Sequence, residues 1–289
     1  MGDEMNNEQT LATALISLTA ETHIHSGIGQ SSGALDLPVA RERTTHYPFV
    51  PGSGVKGAFR VWSKERATGL KTDNLFGKAE EAGDEGSDAF AGTLLCSDAR
   101  LLLLPVRCLS DAYKWVTCPA ILKRLKRDID RNGHTGANLT TTCPNQGEYL
   151  GPKAGSDWLG LEEREFEHSG DIDPSVYTTL KAFIGPDMAD VLEQRLIVLS
   201  DKDFTWFAQY ALPVAARNAL TEYKISEALW YEETLAPDTI MYCLFGERKR
   251  GAVKQFTDAI KPAPYVQIGG NETIGQGWFK MHLFQGAGS

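Results

Sequence analysis

The sequence lacks the features that mark membrane, secreted and disulfide-stabilised proteins. No apolar run approaches the roughly 20 residues that a membrane-spanning helix needs, and the four leucines at residues 101–104 are cut off by Pro105. The first ten residues are acidic and polar, unlike a signal peptide. Its cysteines include no C-x-x-C pair, which argues against a disulfide framework or a zinc site. They are Cys96, Cys108, Cys118, Cys143 and Cys243. We therefore expect a cytoplasmic protein with no membrane partner.

Positive charge is also scarce. The 289 residues contain 29 Lys and Arg against 38 Asp and Glu, which gives a net charge of −9. Such a chain repels phosphates at long range, so nucleic-acid binding requires cations that are concentrated locally. An apolar content of 42% and a charged content of 23% are ordinary for a folded domain with a sizeable core.

Two glycine patterns resemble nucleotide-binding motifs, but each lacks a necessary part. Residues 52–57 have the G-x-G-x-x-G spacing, yet the preceding segment contains two prolines and makes a poor central strand. Gly270 and Gly275 have a Walker A spacing, but residues 276–277 are Gln-Gly where Lys-Ser/Thr is required. Neither pattern predicts a nucleotide-binding site.

The most informative stretch is residues 22–60, THIHSGIGQSSGALDLPVARERTTHYPFVPGSGVKGAFR. Its first half is rich in Gly and Ser, including Ser32 and Gly33, so the backbone can lie close to a bulky anionic ligand. Asp36 follows this segment, with Arg41 nearby. On chemistry alone, Asp36 is either a turn-forming residue or a reactive or metal-binding group. One carboxylate plus substrate phosphate oxygens is sufficient for Mg²⁺.

His23 and His25 alternate as neighbours on one face of an extended segment. They can ligate a metal, but no third ligand lies nearby in the sequence, so structural or hydrogen-bonding roles are favoured.

A helix is predicted to begin with Ser53 as its N-cap. One apolar face follows from the i, i+3, i+4, i+7 spacing of Val55, Ala58, Phe59 and Trp62. Lys56, Arg60 and Lys64 recur every four residues, so three cations share a stripe near a helix N-terminus, where anions are favoured.

The remaining segments predict an α+β fold with a largely antiparallel sheet. Strands are expected at residues 11–20, 93–107, 158–166, 265–268 and 278–284, and helices after Pro119 and at 251–261. Residues 77–92 and 133–157 are expected to be loops or insertions, and residues 217–243 a long projecting hairpin of two extended runs.

Three motifs in order carry a resemblance to a known family: DLPV-x-R-E, PGS-x-x-KG-x-x-R and GG-x-x-T-x-G-x-G. With the patches WVTCP and LWYEE, the chain resembles the repeated backbone subunit of type III-B CRISPR (Cmr) RNA-guided complexes, in the RAMP superfamily. The resemblance covers nearly the whole chain. The type III-A equivalent, which is usually shorter and lacks the two patches, is the alternative.

The resemblance implies an RRM-like (ferredoxin-like) palm in a single domain over residues 1–289. Inserted segments are expected at about 77–92 and 133–157, and a projecting β-hairpin thumb at about 213–235. Such subunits stack into a helical filament along guide RNA, beside other Cmr subunits. The thumb interrupts the duplex of guide and target RNA at regular intervals and leaves displaced nucleotides.

The resemblance also implies roles for individual residues. Asp36 matches the cleavage aspartate, and His25 matches a histidine near the active site. On chemistry alone, His25 or Glu232 of the hairpin is a further candidate for general-acid help. RNA contacts are expected from Arg41, Ser53, Lys56, Arg60, Arg217, Gly270, Thr273, Gly275 and Gly277.

RNA is cleaved when its 2′-OH attacks the adjacent phosphate in line, a geometry open to a displaced nucleotide. Asp36 is expected either to hold Mg²⁺ or Mn²⁺ or to accept the 2′-OH proton. Metal positioning is favoured because aspartate is a weak base at pH 7. The alternative function is a non-catalytic scaffold that only grips guide RNA.

Overall fold

The computed structural model describes residues 11–29, 35–67, 69–78, 89–155 and 158–286. The helices are α1 Gly52–Glu65, α2 Thr72–Phe76, α3 Pro119–Arg131, α4 Pro174–Ile184, α5 Pro186–Arg195, α6 Asp201–Tyr210 and α7 Ala252–Asp258. The strands are β1 Thr13–Ala20, β2 Phe49–Val50, β3 Gly77–Lys78, β4 Phe90–Ala91, β5 Leu94–Cys96, β6 Ala99–Arg107, β7 Tyr113–Thr117, β8 Glu148–Leu150, β9 Trp158–Leu161, β10 Arg164–Gly170, β11 Leu196–Leu199, β12 Val214–Leu220, β13 Ser226–Glu233, β14 Ile240–Glu247, β15 Tyr265–Gln267 and β16 Trp278–Leu283.

One large mixed sheet organises the chain. Its strand order is β15-β16-β1-β14-β6-β7-β11-β8-β10-β9, with β2 paired to β6 and β5 paired to β14. Adjacent strands are antiparallel except for β7 with β11 and β8 with β10, which are parallel. The predicted α+β class with a largely antiparallel sheet is therefore confirmed.

Helices cover both faces of this sheet because strand β14 is apolar on both sides. Phe245 points to one face, where its ring lies 5.0 Å from Phe59 of α1 and 4.5 Å from Phe256 of α7. Tyr242 points to the opposite face, where its ring lies 5.8 Å from Phe183 of α4. Alternate residues of a strand face opposite sides, so Tyr242 and Phe245 anchor separate helix layers.

Helix α1 follows the predicted apolar spacing, with Val55, Phe59 and Trp62 buried. Its N-terminus differs from the prediction, because the N-cap is Pro51 and no side chain caps from that position. Instead, the first helical N–H, that of Gly52, donates to the Asp98 carboxylate at 2.6 Å. A partner far along the chain replaces the local cap that was expected.

The predicted long hairpin at residues 217–243 is wrong in its second half. Strands β12 and β13 form a separate two-stranded sheet, whereas β14 lies in the main sheet between β1 and β6. Strand β14 does not suit a projecting hairpin because most of its residues are buried. It pairs instead with neighbouring strands of the main sheet on both of its edges.

Two other segments are more ordered than the sequence indicated. The strand expected at 158–166 is a hairpin, β9 and β10, which turns at Glu162 with φ of 49°. The loop expected at 133–157 contributes β8, which pairs with β10 and β11. Within the segment 77–92, β3 pairs with β4, and residues 79–88 lie outside the described residues.

Candidate active site and nucleic-acid interface

The carboxylate of Asp36 lies at the base of the β12–β13 hairpin. Its Oδ2 accepts a hydrogen bond from the backbone N–H of Tyr231 at 2.8 Å. The next residue, Leu37, donates to Tyr231 O at 3.1 Å and accepts from Glu233 N at 3.0 Å. Residues 36–37 therefore add to the edge of β13, and this pairing fixes the Asp36 carboxylate beside the hairpin. Ser32 and Gly33 of the glycine-rich segment lie outside the described residues.

Glu232 joins three segments of the chain around this position. Its side chain is only 3% exposed, and its Oε2 accepts from Arg217 Nε at 3.1 Å. Its Oε1 accepts from the Asn271 side chain and lies 3.4 Å from His25 Nδ1. The hairpin, the His25 segment and the C-terminal glycine-rich loop thus meet at one buried carboxylate.

The His25 ring is held in a defined orientation. Its Nδ1 lies 2.8 Å from the carbonyl oxygen of Glu233, a hydrogen bond in which Nδ1–H is the donor. In the neutral ring this leaves Nε2 as the proton acceptor. The ring packs against Gly27, where a Cβ would collide with Nε2. The hydrogen bond and the contact with Gly27 therefore hold the His25 ring in a fixed position, with its side chain 11% exposed.

The glycine-rich loop, residues 269–277, packs backbone to backbone against the His25 segment. Gly270 N donates to His25 O and Gly277 N donates to His23 O, each at 2.9 Å. Gly269 has φ of +101°, and a Cβ there would lie 2.5 Å from His25 O. Only glycine permits this approach. Thr273 and Gly275 lie on the exposed part of the loop.

Three of the predicted RNA-binding cations are bound to other residues of the protein. Arg41 donates to Glu233 Oε1 at 2.6 Å and to the carbonyl oxygen of Ala208, so it ties the Asp36 segment to α6 and the hairpin. Arg60 donates to Asp73 Oδ1 at 2.7 Å, and Arg217 is bound to Glu232.

Ser53 and Lys56 lie in the first turns of α1, and Ser53 is exposed. Neither side chain has an ion pair or hydrogen bond with another described residue. They are the predicted contacts on α1 that remain available to a ligand.

Sequence reasoning missed Asn271, which links the glycine-rich loop to the site. Its backbone is left-handed, with φ of 63°, and its amide donates to Glu232 and to Gln276 Oε1, the latter at 2.9 Å. The one available signal was an Asn directly after two glycines, a residue that tolerates left-handed backbone.

A second missed feature is the groove of about 320 Å³ between α1 and the glycine-rich loop. Gly54 and Gly57 line it from α1, and Gly269 and Trp278 from the other side. The guanidinium of Arg66 lies 4.8 Å from the centre of the Trp278 ring. The G-x-x-G spacing places both helix glycines on one face, which suits close approach of a ligand backbone.

The site fits a divalent cation only as a single-carboxylate site. No described residue donates a hydrogen bond to Asp36 Oδ1, so within the described part of the chain that oxygen is available as a ligand. The described residues contain no cluster of three His, Cys, Asp or Glu side chains arranged to hold a metal ion. Mg²⁺ keeps several waters and often uses one or two carboxylates plus substrate phosphates, so one oxygen from Asp36 is compatible with it.

Within the described part of the chain, none of the helices combines the length and apolar character needed to cross a membrane. All five cysteines lie in that part and are free thiols.

Comparison with known proteins places this architecture in a family. The RAMP superfamily pattern matches residues 17–280. The CRISPR system Cmr endoribonuclease Cmr4 of Pyrococcus furiosus is 30% identical, over 93% of this chain and 95% of the relative.

Two solved structures have the same fold. The crystal structure of oligomeric Cmr4 from Pyrococcus furiosus has a TM-score of 0.73 and 24% identity, over 95% of this chain and 98% of that chain. The cryo-EM structure of the Type III-B Cmr-beta bound to cognate target RNA contains a chain with a TM-score of 0.73 and 21% identity, over 94% and 97%. The protein therefore belongs to the RAMP superfamily, in the family that includes the Cmr4 subunit.

Proposed function

We propose that the protein is the repeated backbone subunit of a type III-B CRISPR RNA-guided complex, which binds guide RNA and cleaves complementary target RNA at regular intervals. The observation that carries this proposal is the Asp36 carboxylate fixed by Tyr231 at the base of a projecting hairpin. The endoribonuclease name of the 30% identical relative supports it. An oligomeric relative and a relative within a target-bound complex support partnership with further copies, other Cmr subunits and RNA in the cytoplasm.

The strand order supports an RRM-like palm within a single domain over residues 1–289. Four central strands run in the order β16-β1-β14-β6, with α1 after β1 and α7 after β14. This is the β-α-β-β-α-β arrangement of ferredoxin-like folds. The segments at about 77–92 and 133–157 are then insertions, and residues of about 213–235 form the thumb.

The hairpin has the surface expected of a thumb that separates bases. Large apolar side chains are exposed on it, namely Val214, Leu220, Tyr223, Ile225, Leu229 and Tyr231. Apolar side chains can wedge between base steps, and aromatic rings stack on unpaired bases. A nucleotide displaced at the hairpin base is delivered beside Asp36.

The residues around Asp36 support cleavage by the RNA's own 2′-OH. Once a nucleotide is displaced, its 2′-OH can rotate into line with the adjacent phosphate. Asp36 would hold a Mg²⁺ or Mn²⁺ ion, which would supply positive charge at that phosphate. His25 Nε2 can accept or donate a proton at the same place. Glu232 is bound by Arg217 and Asn271, and we assign it to positioning His25 rather than to proton transfer.

RNA binding follows from the surface of α1 and the glycine-rich loop. Ser53 and Lys56 offer a hydroxyl and a cation, and Gly270, Thr273 and Gly275 offer exposed backbone that a phosphate can approach closely. The predicted contact Gly277 is buried, with its N–H bound to His23 O, so it supports the loop instead. Arg60 and Arg217 are each 28% exposed, and Arg41 somewhat less, so phosphates can compete for their guanidinium groups. Phosphate contacts carry no base identity, so guide binding is expected to be largely independent of sequence.

The test is target-RNA cleavage by the reconstituted guide complex, with wild type or Asp36→Ala, in Mg²⁺ and in EDTA. We expect the variant to bind guide and target but to make no regularly spaced cuts. A variant that cuts as well as wild type would make this chain the non-catalytic scaffold. Cleavage by wild type that persists in EDTA would leave Asp36 as a proton acceptor instead of a metal ligand.

A further inference from the structure

A second candidate site lies in a cavity of about 520 Å³ between α2, residues 90–93 and the turn from β14 to α7. Lys71, the N-cap of α2, and Asn74 within α2 line one side, and Phe90 and Thr93 line it from the adjoining strand segment. Lys249 and Arg250 line it from the turn. Among the described residues, those that line the cavity include three cations and no carboxylate.

The three cations are unusual in so acidic a chain. Lys71, Lys249 and Arg250 are exposed, and none has an ion pair or side-chain hydrogen bond with another described residue. By contrast, the nearby Lys254 is paired with Asp258 at 2.7 Å. Cations that converge on one cavity repel one another, and an anion bound among them relieves that repulsion.

The turn that carries two of these cations is held rigidly. Glu247, which is buried beneath it, accepts from Ala12 N at 3.1 Å and from Val253 N at 3.2 Å. Arg248 N donates to Thr93 O at 2.7 Å. Lys249 and Arg250 therefore project from fixed backbone into the cavity.

The cavity is remote from Asp36. In the pairing of β1 with β14, Thr19 lies opposite Ile240 and Thr13 lies opposite Gly246. His25 follows the Thr19 end of β1, whereas the basic turn follows the Gly246 end. Six residues of strand separate the two ends, or roughly 20 Å at about 3.3 Å per residue.

We propose that this cavity binds the phosphate backbone of an RNA segment that extends beyond the groove at Asp36. Lys71 and Lys249 supply point charges, and the planar guanidinium of Arg250 can bind two phosphate oxygens. Phe90, which is 43% exposed at the rim, offers its ring to an unpaired base. The choice of RNA rests on the proposed function, and a free nucleotide is the other source of the same chemistry.

The test measures RNA binding by the full chain, with Asp36→Ala in every sample so that no cleavage intervenes. The double variant Lys249→Ala/Arg250→Ala is compared with Lys123→Ala/Arg127→Ala, which removes equal charge from exposed positions of α3. Anisotropy of fluorescent single-stranded polyuridine gives affinity as a function of salt. Thermal unfolding checks that both variants fold.

Affinity falls as salt rises, and loss of two phosphate contacts makes the slope of log affinity against log salt less steep by about 1.4, at about 0.7 per contact. Wild type then loses about seven times more affinity than the cavity variant over a fourfold rise in salt. The α3 variant keeps the wild-type slope. Equal slopes for the cavity variant and the α3 variant would overturn the proposal.

Crosslinking separates this cavity from the groove at Asp36. RNA containing 4-thiouridine is expected to crosslink to the peptide that carries Phe90, and the crosslink is lost in the cavity variant. Crosslinks confined to α1 and the glycine-rich loop would overturn the proposal while leaving groove binding intact. AMP that binds through Lys249 and Arg250 where polyuridine does not would identify a free nucleotide as the ligand and also overturn it.

Discussion

The carboxylate of Asp36 accepts a hydrogen bond from the backbone N–H of Tyr231, 195 positions away in the sequence. This bond attaches the glycine-rich N-terminal segment to the hairpin, so that the candidate cleavage group and the candidate wedge form one unit. The angle of the hairpin and the position of Asp36 are therefore expected to change together.

Glu232 is predicted to position the site. Replacing it by Ala leaves Arg217 and Asn271 without their shared acceptor and removes the carboxylate that lies 3.4 Å from His25 Nδ1. We therefore expect the free energy of unfolding to fall by about 2 kcal/mol. Cleavage is expected to fall as well, because His25 loses a restraint. The matched control is Glu227→Ala, an exposed carboxylate on the same hairpin. Urea unfolding and single-turnover cleavage measure the two effects, and equal behaviour of both variants would refute this role.

Two glycines of the C-terminal loop are predicted to differ sharply when each is changed to Ala. Gly269 and Gly275 both have positive φ, but only a Cβ at Gly269 meets His25 O, at 2.5 Å. In both variants, backbone strain is expected to lower the free energy of unfolding by about 1 kcal/mol. Gly269→Ala is expected to lose clearly more, with weaker cleavage, because the loop must move away from His25. Urea unfolding and cleavage assays on both variants test this, and similar losses would contradict the close packing.

Part of this site could be predicted from the sequence, and the limit is physical. Helix α1 and the chemical character of residues 22–60 could be predicted because they depend on residues that are close in sequence, whose periodicity and glycine content are visible there. The sequence indicated Asp36 as a candidate, but not its attachment to Tyr231, because that contact depends on how the sheet brings distant segments together. Arg41 was predicted as an RNA contact, and no sequence pattern indicated that it binds Glu233 and the end of α6.

The tip of the hairpin is predicted to act on RNA and not on stability. Tyr223 and Ile225 are 77% and 64% exposed, so changing both to Ser is expected to alter the free energy of unfolding by less than about 1 kcal/mol. Target cuts are expected to become fewer or irregular, because the duplex is no longer opened at fixed points. Leu109→Ser, at an exposed position outside the hairpin, is the control. An unchanged yield of cuts at unchanged positions on a sequencing gel would contradict the thumb assignment.

The pH dependence of stability is predicted to include a contribution from His282. Burial lowers the pKa of His282 below its ordinary value of 6.5, although the Ala182 carbonyl opposes this. Below about pH 6.5 the unfolded chain binds the proton first, so stability is lost as the pH falls through that range. His282→Gln keeps a donor toward Ala182 but does not titrate. Between about pH 7.5 and pH 5.5 the variant is expected to lose less stability than wild type, and an equal loss would refute the contribution.

The most direct test of the central claim, that each copy cuts RNA at its own Asp36, is a mixing experiment. Guide complexes are assembled from wild type and Asp36→Ala in varied ratios, and the amount of each target-RNA cut is measured. The account predicts that every cut decreases in proportion to the variant fraction, keeps its position, and disappears when all copies carry Ala. Cuts of undiminished yield in the all-variant complex would show that the chemistry belongs to another residue or another subunit.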